Sequence, residues 1–203
     1  HHRLLTTARI LSSIFRPHYY PMVGMLLLLT CSYLVLYPIG LKLRLLAIVY
    51  LLTIGLPHLL IYLYRRLRGW SREELRHQHR RTVPYCIHIA CYIFCIYVME
   101  WICAPSFVRA MFAICLAVQL VCVFINIWGN ISMHSAGAGA LIGALIAYSA
   151  LFHFNPVWWL CLTILISGLV NSSRMLLRQH TLAQVLAGTW VGVACGVLGI
   201  LYF

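Results

Sequence analysis

The chain has 203 residues, of which 63% are hydrophobic and 9% are charged. A soluble domain could not bury so much apolar surface, so the composition excludes a soluble protein and predicts an integral membrane protein. Fifteen Lys and Arg against three Asp and Glu give a net charge of +12, which suits contact with membrane lipids or an anionic substrate. We expect no nucleic-acid partner, because no soluble basic domain is present to bind one. With so few carboxylates, we expect no metal site and no cofactor.

Apolar segments near the length of a membrane span predict an all-α fold, a polytopic helical bundle of about six to seven transmembrane helices in a single domain, 1–203. Residues 1–18 mix basic and apolar side chains and are expected to lie along the membrane interface. The seven segments are Tyr19–Pro38, Leu43–Tyr64, Pro84–Cys103, Phe107–Trp128, Ser135–Phe154, Pro156–Leu169 and Thr181–Phe203. The sixth is short, and Pro57 is expected to kink the second. A basic polar loop occupies 65–83, and residues 130–203 carry the candidate site.

Small residues line two of these segments. The fifth contains Gly137, Gly139 and Gly143, and the last contains Gly188, Gly192, Gly196 and Gly199. Glycines at such spacings let helix backbones approach closely, and packing alone is reason enough for them. Both segments begin with polar residues, so we expect their close packing to bring those residues together.

The first polar group is Ser132-Met133-His134, at the start of the fifth segment. Ser132 is a good N-cap, and the free amides beyond it, with the helix dipole, form a cradle for an anion. His134 in the first turn is placed to give a proton to a departing oxygen. The alternative is a capping serine followed by an interfacial histidine.

The second polar group contains Arg174, His180 and Gln184. An arginine can hold phosphate oxygens with its planar fork of donors. His180 begins the last segment, and Gln184 follows one turn later on the same face. Gln184 is expected to accept a hydrogen bond from one ring nitrogen of His180, leaving the other free to act as a nucleophile. The alternative is a surface histidine at a helix start.

The third polar group is the basic loop, whose arginines include Arg72, Arg76, Arg80 and Arg81. A cluster beside a span is often a topology signal or a contact for lipid headgroups. Two spans separate this loop from Ser132, and two more separate Ser132 from Arg174. All three groups are therefore expected on one face of the membrane, which favours a shared site.

The order of these residues resembles the motif order of the type 2 phosphatidic acid phosphatase (PAP2) superfamily. The chain looks like a divergent, bacterial-type membrane member of that superfamily. The family shares Lys-x6-Arg-Pro, Pro-Ser-Gly-His and Ser-Arg-x5-His-x3-Asp, and the likeness covers about residues 72–184. It implies that His180 is a nucleophile forming a phosphohistidine without a metal, and that His134 protonates the leaving group. It also implies that phosphate is bound by Arg174 and the amides of Ser132 and Met133, with Arg72, Arg76, Arg80 and Arg81 from the loop.

Gln184 departs from the family pattern, which has aspartate there. A neutral amide stabilises an imidazolium less than a carboxylate does, so a reduced activity is expected. The family's Lys, Pro and Gly of the first two motifs are also absent, since Glu74, Ile131 and Met133 stand in those places. The alternative is therefore a lipid-binding or lipid-transport protein that keeps the fold without catalysis.

The resemblance implies a lipid phosphate monoester or diphosphate as substrate. Candidates are phosphatidic acid, phosphatidylglycerol phosphate, a polyprenyl diphosphate and a phosphoglycolipid. It also implies a bacterial inner-membrane protein whose site faces away from the cytoplasm. By the positive-inside rule, the arginines on the site face would instead predict that this face is cytoplasmic. That rule does not apply if these arginines bind phosphate and do not determine the topology.

Overall fold

The computed structural model describes residues 2–69 and 82–202. Its α-helices, in chain order, are α1 His2–Ile14, α2 Tyr20–Cys31, α3 Ile39–Tyr50, α4 Leu56–Arg68, α5 Thr82–Trp101, α6 Ser106–Trp128, α7 Met133–Phe152, α8 Val157–Leu176 and α9 Leu182–Tyr202. Short 3-10 turns cover Pro17–Tyr19 and Tyr33–Leu36, and a π-helical turn covers Leu51–Gly55. No strand occurs in these two described ranges, which confirms the all-α fold.

Six helices in the described ranges are long and apolar enough to cross a membrane: Ile39–Arg68, Val83–Trp101, Ser106–Trp128, Met133–Phe152, Val157–Leu176 and Leu182–Tyr202. This confirms an integral membrane protein. The predicted end of the sixth segment, Leu169, is wrong. The helix α8 continues to Leu176 and includes Arg174 in its last turn.

The first predicted span is wrong. Within Tyr19–Pro38 the structure forms α2, which has 12 residues and ends at Cys31. At about 1.5 Å per residue this helix is far shorter than the hydrocarbon core of a bilayer, which is about 30 Å thick. Ser32 explains the end, because its hydroxyl donates to the Leu28 carbonyl at 2.6 Å and accepts from the Leu34 amide at 3.1 Å. The apolar pattern alone could not show this side chain redirecting the backbone.

At Pro57, where a kink was predicted, the structure has a π-helical turn, Leu51–Gly55, that ends two residues before the proline. The Leu56 amide donates to the Leu51 carbonyl, one residue further back than in an α-helix. Thr53 Oγ1 donates to the Val49 carbonyl at 2.7 Å, and His58 Nδ1 donates to the Ile54 carbonyl at 2.7 Å. Polar side chains therefore bond to carbonyls in and just before the π-helical turn, and Ile39–Arg68 remains one candidate span.

The chain divides into two compact units. The terminal unit comprises His1–Tyr20 and Ala113–Phe203, and the middle unit comprises Pro21–Phe112. In the middle unit, α4 and the π-helical turn both pack against α5. In the terminal unit, α7 packs extensively along α9, while α8 contacts both α7 and the N-terminal helix α1. The residues of the first two polar groups all belong to the terminal unit.

The pairing of α7 with α9 depends on glycine. A Cβ atom at Gly139 would overlap the Thr189 carbonyl, and one at Gly192 would overlap the Ala136 carbonyl. A Cβ atom at Gly196 would likewise overlap the Ala140 carbonyl. The two backbones therefore touch directly, as the glycine spacing predicted. Because both helices begin at the same end of this contact, the pairing holds their first turns side by side.

Candidate functional site

Ser132 caps α7, as the sequence predicted. It is fully buried, with extended backbone angles, and its hydroxyl accepts from the Ser135 amide at 3.4 Å. The Ser132 carbonyl accepts from the Ala136 amide at 3.0 Å, the first bond of the helix. The amides of Met133 and His134 lie ahead of these bonds, in the positions that helix starts offer to anions. Ser132 therefore shapes the cradle, and its neighbours supply the donors.

Arg174 lies where α8 ends and the chain turns toward α9. The Gln179 amide donates to the Arg174 carbonyl at 3.1 Å, and the Arg178 amide donates to the Met175 carbonyl at 2.9 Å. Arg178 adopts a left-handed conformation with φ of 52°. These three features form a Schellman C-cap, which stops the helix within one turn of Arg174. The five residues between Arg174 and His180 thus form this C-cap and the short connection to α9.

A reciprocal pair of hydrogen bonds caps α9. Gln184 donates its amide to Thr181 Oγ1 at 3.4 Å, and the Thr181 amide donates to Gln184 Oε1 at 3.1 Å. This is a capping box, in which a Thr and a Gln three residues later satisfy each other's backbone. The pattern Thr-x-x-Gln is visible in the sequence, and our sequence reasoning missed it because Gln184 was considered only as a partner of His180.

The capping box also fixes the protonation pattern of His180. Gln184 Oε1 lies 3.3 Å from His180 Nδ1. A backbone amide can only donate, so the Gln184 atom facing the Thr181 amide must be the oxygen. That oxygen can only accept, so His180 Nδ1 carries the hydrogen and Nε2 keeps its lone pair. The structure thus places the Gln184 oxygen on Nδ1 of His180, as the spacing of the two residues predicted, while their role in catalysis stays a prediction.

The residues of the two polar groups converge. His134 lies within electrostatic range of both Arg174 and His180, and His180 lies within range of Arg174. All three side chains are partly buried. Arg174 Nε is buried and has no hydrogen-bond partner among the described residues. Two imidazoles and a guanidinium with an unused donor thus lie near one another, at the starts of α7 and α9 and the end of α8.

The electrostatics of this region favour a neutral His180. Burial lowers the pKa of His180 below its ordinary value, and the Arg174 guanidinium lowers it further. The hydrogen bond with Gln184 opposes this effect, since it stabilises the protonated ring. A neutral ring keeps the Nε2 lone pair that a nucleophile needs.

The N-terminal segment adds residues that the sequence did not indicate. Arg174 Nη1 donates to Ser12 Oγ at 3.0 Å, and the main chain of Ser12 lies near the His134 ring. Tyr20 donates its hydroxyl to the His134 carbonyl at 3.0 Å, and His18 lies within electrostatic range of His134. Residues 1–18 were assigned only an interfacial role, because no motif marks a serine inside an amphipathic helix as part of a site.

The four arginines assigned to the basic loop, Arg72, Arg76, Arg80 and Arg81, lie outside the described residues. Their part in phosphate binding therefore stays a prediction. In residues 2–69 and 82–202, no group of three or more His, Cys, Asp or Glu side chains is placed to hold a metal ion.

Comparison with known proteins returned no match, whether to a family model, to a curated protein sequence or to a solved structure.

Proposed function

We propose that the protein is a metal-independent lipid phosphatase of the PAP2 type, which hydrolyses a lipid phosphate monoester or diphosphate through a phosphohistidine. One observation carries this proposal: His180, with Nδ1 held by Gln184 and Nε2 bearing a lone pair, lies within electrostatic range of Arg174 and His134. A nucleophile, a permanent cation and a second imidazole are the groups that phosphoryl transfer to nitrogen requires.

The reaction proceeds in two displacements. The His180 Nε2 lone pair attacks phosphorus, forming an N–P bond as the bond from phosphorus to the leaving oxygen breaks; this is the ester oxygen of a monoester or the bridging oxygen of a diphosphate. That oxygen takes the electron pair and receives a proton from His134. Water then attacks phosphorus and gives a proton to His134, while the N–P electron pair returns to Nε2 and inorganic phosphate leaves.

Electrostatic support comes from fixed donors. Arg174 offers its buried Nε to a phosphate oxygen, and the first amides of α7, those of Met133 and His134, offer two more donors. When Nε2 carries phosphorus, the ring becomes cationic, and Gln184 Oε1 continues to accept from Nδ1. An amide oxygen stabilises that cation less than a carboxylate does, so turnover is expected to be modest.

The substrate is proposed to reach the site from the lipid phase. The headgroup would lie between the first turns of α7 and α9, with its acyl or prenyl tails in the bilayer. Phosphatidic acid, phosphatidylglycerol phosphate, polyprenyl diphosphate and phosphoglycolipids share the required chemistry. We further propose a bacterial inner membrane as the location, with the site on the extracytoplasmic face.

A second candidate function is lipid binding or transport without catalysis. The capping box favours it, because Gln184 has a structural role at the start of α9 that would keep it in place with no reaction to catalyse. Both candidates use the same anion cradle, and they differ only in whether a phosphoryl group is transferred to His180.

The test is phosphate release by the purified full chain in detergent micelles containing EDTA, using the four lipid classes as substrates. We expect release by the wild type and none by His180→Ala, together with an acid-labile phosphoprotein trapped only in the wild type. Folded wild-type protein that releases no phosphate from any lipid would refute the enzyme and leave the binding protein.

A further inference from the structure

We propose that Ser12 is a positioning residue of this site, and that α1 completes the site. The inference rests on the proposed function, since it concerns the same arginine and histidine. Ser12 is buried, unlike its neighbour Ser13, which is exposed. Its side chain bonds to Arg174, and its main chain lies near His134.

The hydroxyl of Ser12 acts on Arg174. An arginine has a long flexible side chain, and ordering it costs conformational entropy unless a partner fixes it. Ser12 Oγ accepts from Arg174 Nη1 at 3.0 Å. This bond uses a donor at one corner of the guanidinium, while Arg174 Nε stays buried without a partner in the described part of the chain. Ser12 therefore sets the plane of the guanidinium and aims its remaining donors at the anion.

The segment that follows Ser12 also reaches His134. The Tyr20 hydroxyl donates to the His134 carbonyl at 3.0 Å. The Tyr20 ring lies against Gly137, where a Cβ atom would overlap it. The main chain of Ser12 lies near the His134 ring. The stretch from Ser12 to Tyr20 therefore contacts Arg174 through Ser12 and His134 through Tyr20.

The position of α1 supports a role beyond packing. The helix contacts α8 in the terminal unit, although more than 150 residues separate Ser12 from its partner Arg174. A surface anchor needs only an apolar stripe, whereas α1 places a buried hydroxyl on a charged group. The site is therefore built from three helix ends and one internal serine of a fourth helix.

The experiment compares Ser12→Ala with Ser13→Ala in the full chain. Ser13 is a matched control, because its hydroxyl accepts only from Arg16 Nη2, at 3.3 Å on the exposed side. We measure lipid phosphate hydrolysis, and separately the binding of inorganic phosphate by isothermal titration calorimetry. Losing a hydrogen bond to a charged group should weaken phosphate binding and kcat/KM by about tenfold or more. Ser13→Ala should stay within about twofold of wild type.

A double-mutant cycle separates positioning from folding. In an Arg174→Ala background, Ser12→Ala should have no further effect on phosphate binding, because the group that it positions is gone. Equal losses in both backgrounds, or equal behaviour of Ser12→Ala and Ser13→Ala, would overturn the proposal. Ser12→Thr keeps the hydroxyl and should recover part of the binding.

The two readouts distinguish the proposals. Hydrolysis that is insensitive to Ser12→Ala would refute the positioning role and leave the phosphatase standing. Binding of inorganic phosphate that depends on Ser12, without hydrolysis of any lipid, would leave the positioning role and refute the phosphatase. A wild-type chain that does neither would overturn both.

Discussion

The two units contain histidines with the same donor pattern and different surroundings. In the middle unit, His58 Nδ1 donates to the Ile54 carbonyl of its own helix, and its electrostatic neighbour is His88. In the terminal unit, His180 Nδ1 donates to a side chain, and its neighbour is Arg174. A histidine that donates to a carbonyl of a π-helical turn, as His58 does, stabilises the backbone there. A histidine held by a capping box beside a permanent cation is placed to meet an anion.

The largest expected effect tests that contrast directly. His180→Ala should abolish phosphate release, a loss of about 10⁴-fold or more if the ring is the nucleophile. His58→Ala should leave kcat/KM within about threefold and lower the free energy of unfolding by about 1 kcal/mol, because the Ile54 carbonyl loses a partner. Phosphate release and thermal unfolding in micelles measure the two effects. Equal loss of activity in both variants would contradict the different roles that we give to His180 and His58.

The glycines offer a comparison of stability. Gly192→Ala places a methyl group on the Ala136 carbonyl, which is backbone and cannot move aside. We expect a cost of about 1–3 kcal/mol, with loss of activity as α9 moves away from α7. Gly55→Ala in the middle unit meets only Leu51 Cδ2 at 3.7 Å, an ordinary contact, and should be neutral or slightly stabilising. Unfolding curves measure the free energy of unfolding of both variants. A destabilised Gly55→Ala would show that the middle unit is packed as tightly at Gly55 as α7 and α9 are at Gly192.

The pH dependence sharpens the role of Gln184. Because burial and Arg174 lower the pKa of His180, the acid limb of kcat/KM should lie below the ordinary titration of histidine. Gln184→Glu keeps the length needed for the capping box and adds a negative charge. It should raise the pKa of His180, move the acid limb upward by about one pH unit and increase turnover at neutral pH.

Gln179→Glu is the matched control for that charge. Gln179 is exposed and lies one residue before His180, so water screens most of its effect. An equal shift in both variants would mean that net charge, not the bond to Nδ1, governs the titration. A slower Gln184→Glu enzyme at neutral pH would contradict our account of the missing carboxylate.

The smallest effect concerns two strained turns. Arg178 in the terminal unit and Cys103 in the middle unit both adopt left-handed backbone angles, with φ of 52° and 51°. Glycine relieves this conformation, so Arg178→Gly and Cys103→Gly should each stabilise the protein by about 1 kcal/mol. Arg178→Ala removes the charge and keeps the strain, so it should bring no gain. Different gains at the two turns would show that one of them is held by more than its own backbone.

What the sequence predicted follows from local rules. Ser132 was identifiable as a cap because serine before an apolar run satisfies free amides, and the glycine spacing predicted the contact of α7 with α9. The convergence of His134, Arg174 and His180 followed from those two features. The false first span shows the limit, since hydropathy does not register the hydroxyl of Ser32 bonding to the Leu28 carbonyl.

The contribution of Ser12 was beyond sequence reasoning for a different reason. Its partner Arg174 and its neighbour His134 are far away in the chain, and a single serine in an amphipathic helix has no distinguishing pattern. Only tertiary packing of α1 on α8 brings it to the site.

The distance along the chain between Ser12 and Arg174 also sets an order of events during synthesis. The two residues are 162 positions apart, so at about 5–20 residues per second the first helix waits on the order of ten seconds for its partner. The middle unit is complete in sequence by Phe112, well before α8 and α9 have left the ribosome. The site therefore cannot assemble until α8 and α9 have followed the middle unit. A nascent chain that stops before α8 contains the whole sequence of the middle unit, while α1 still lacks the helix on which it packs.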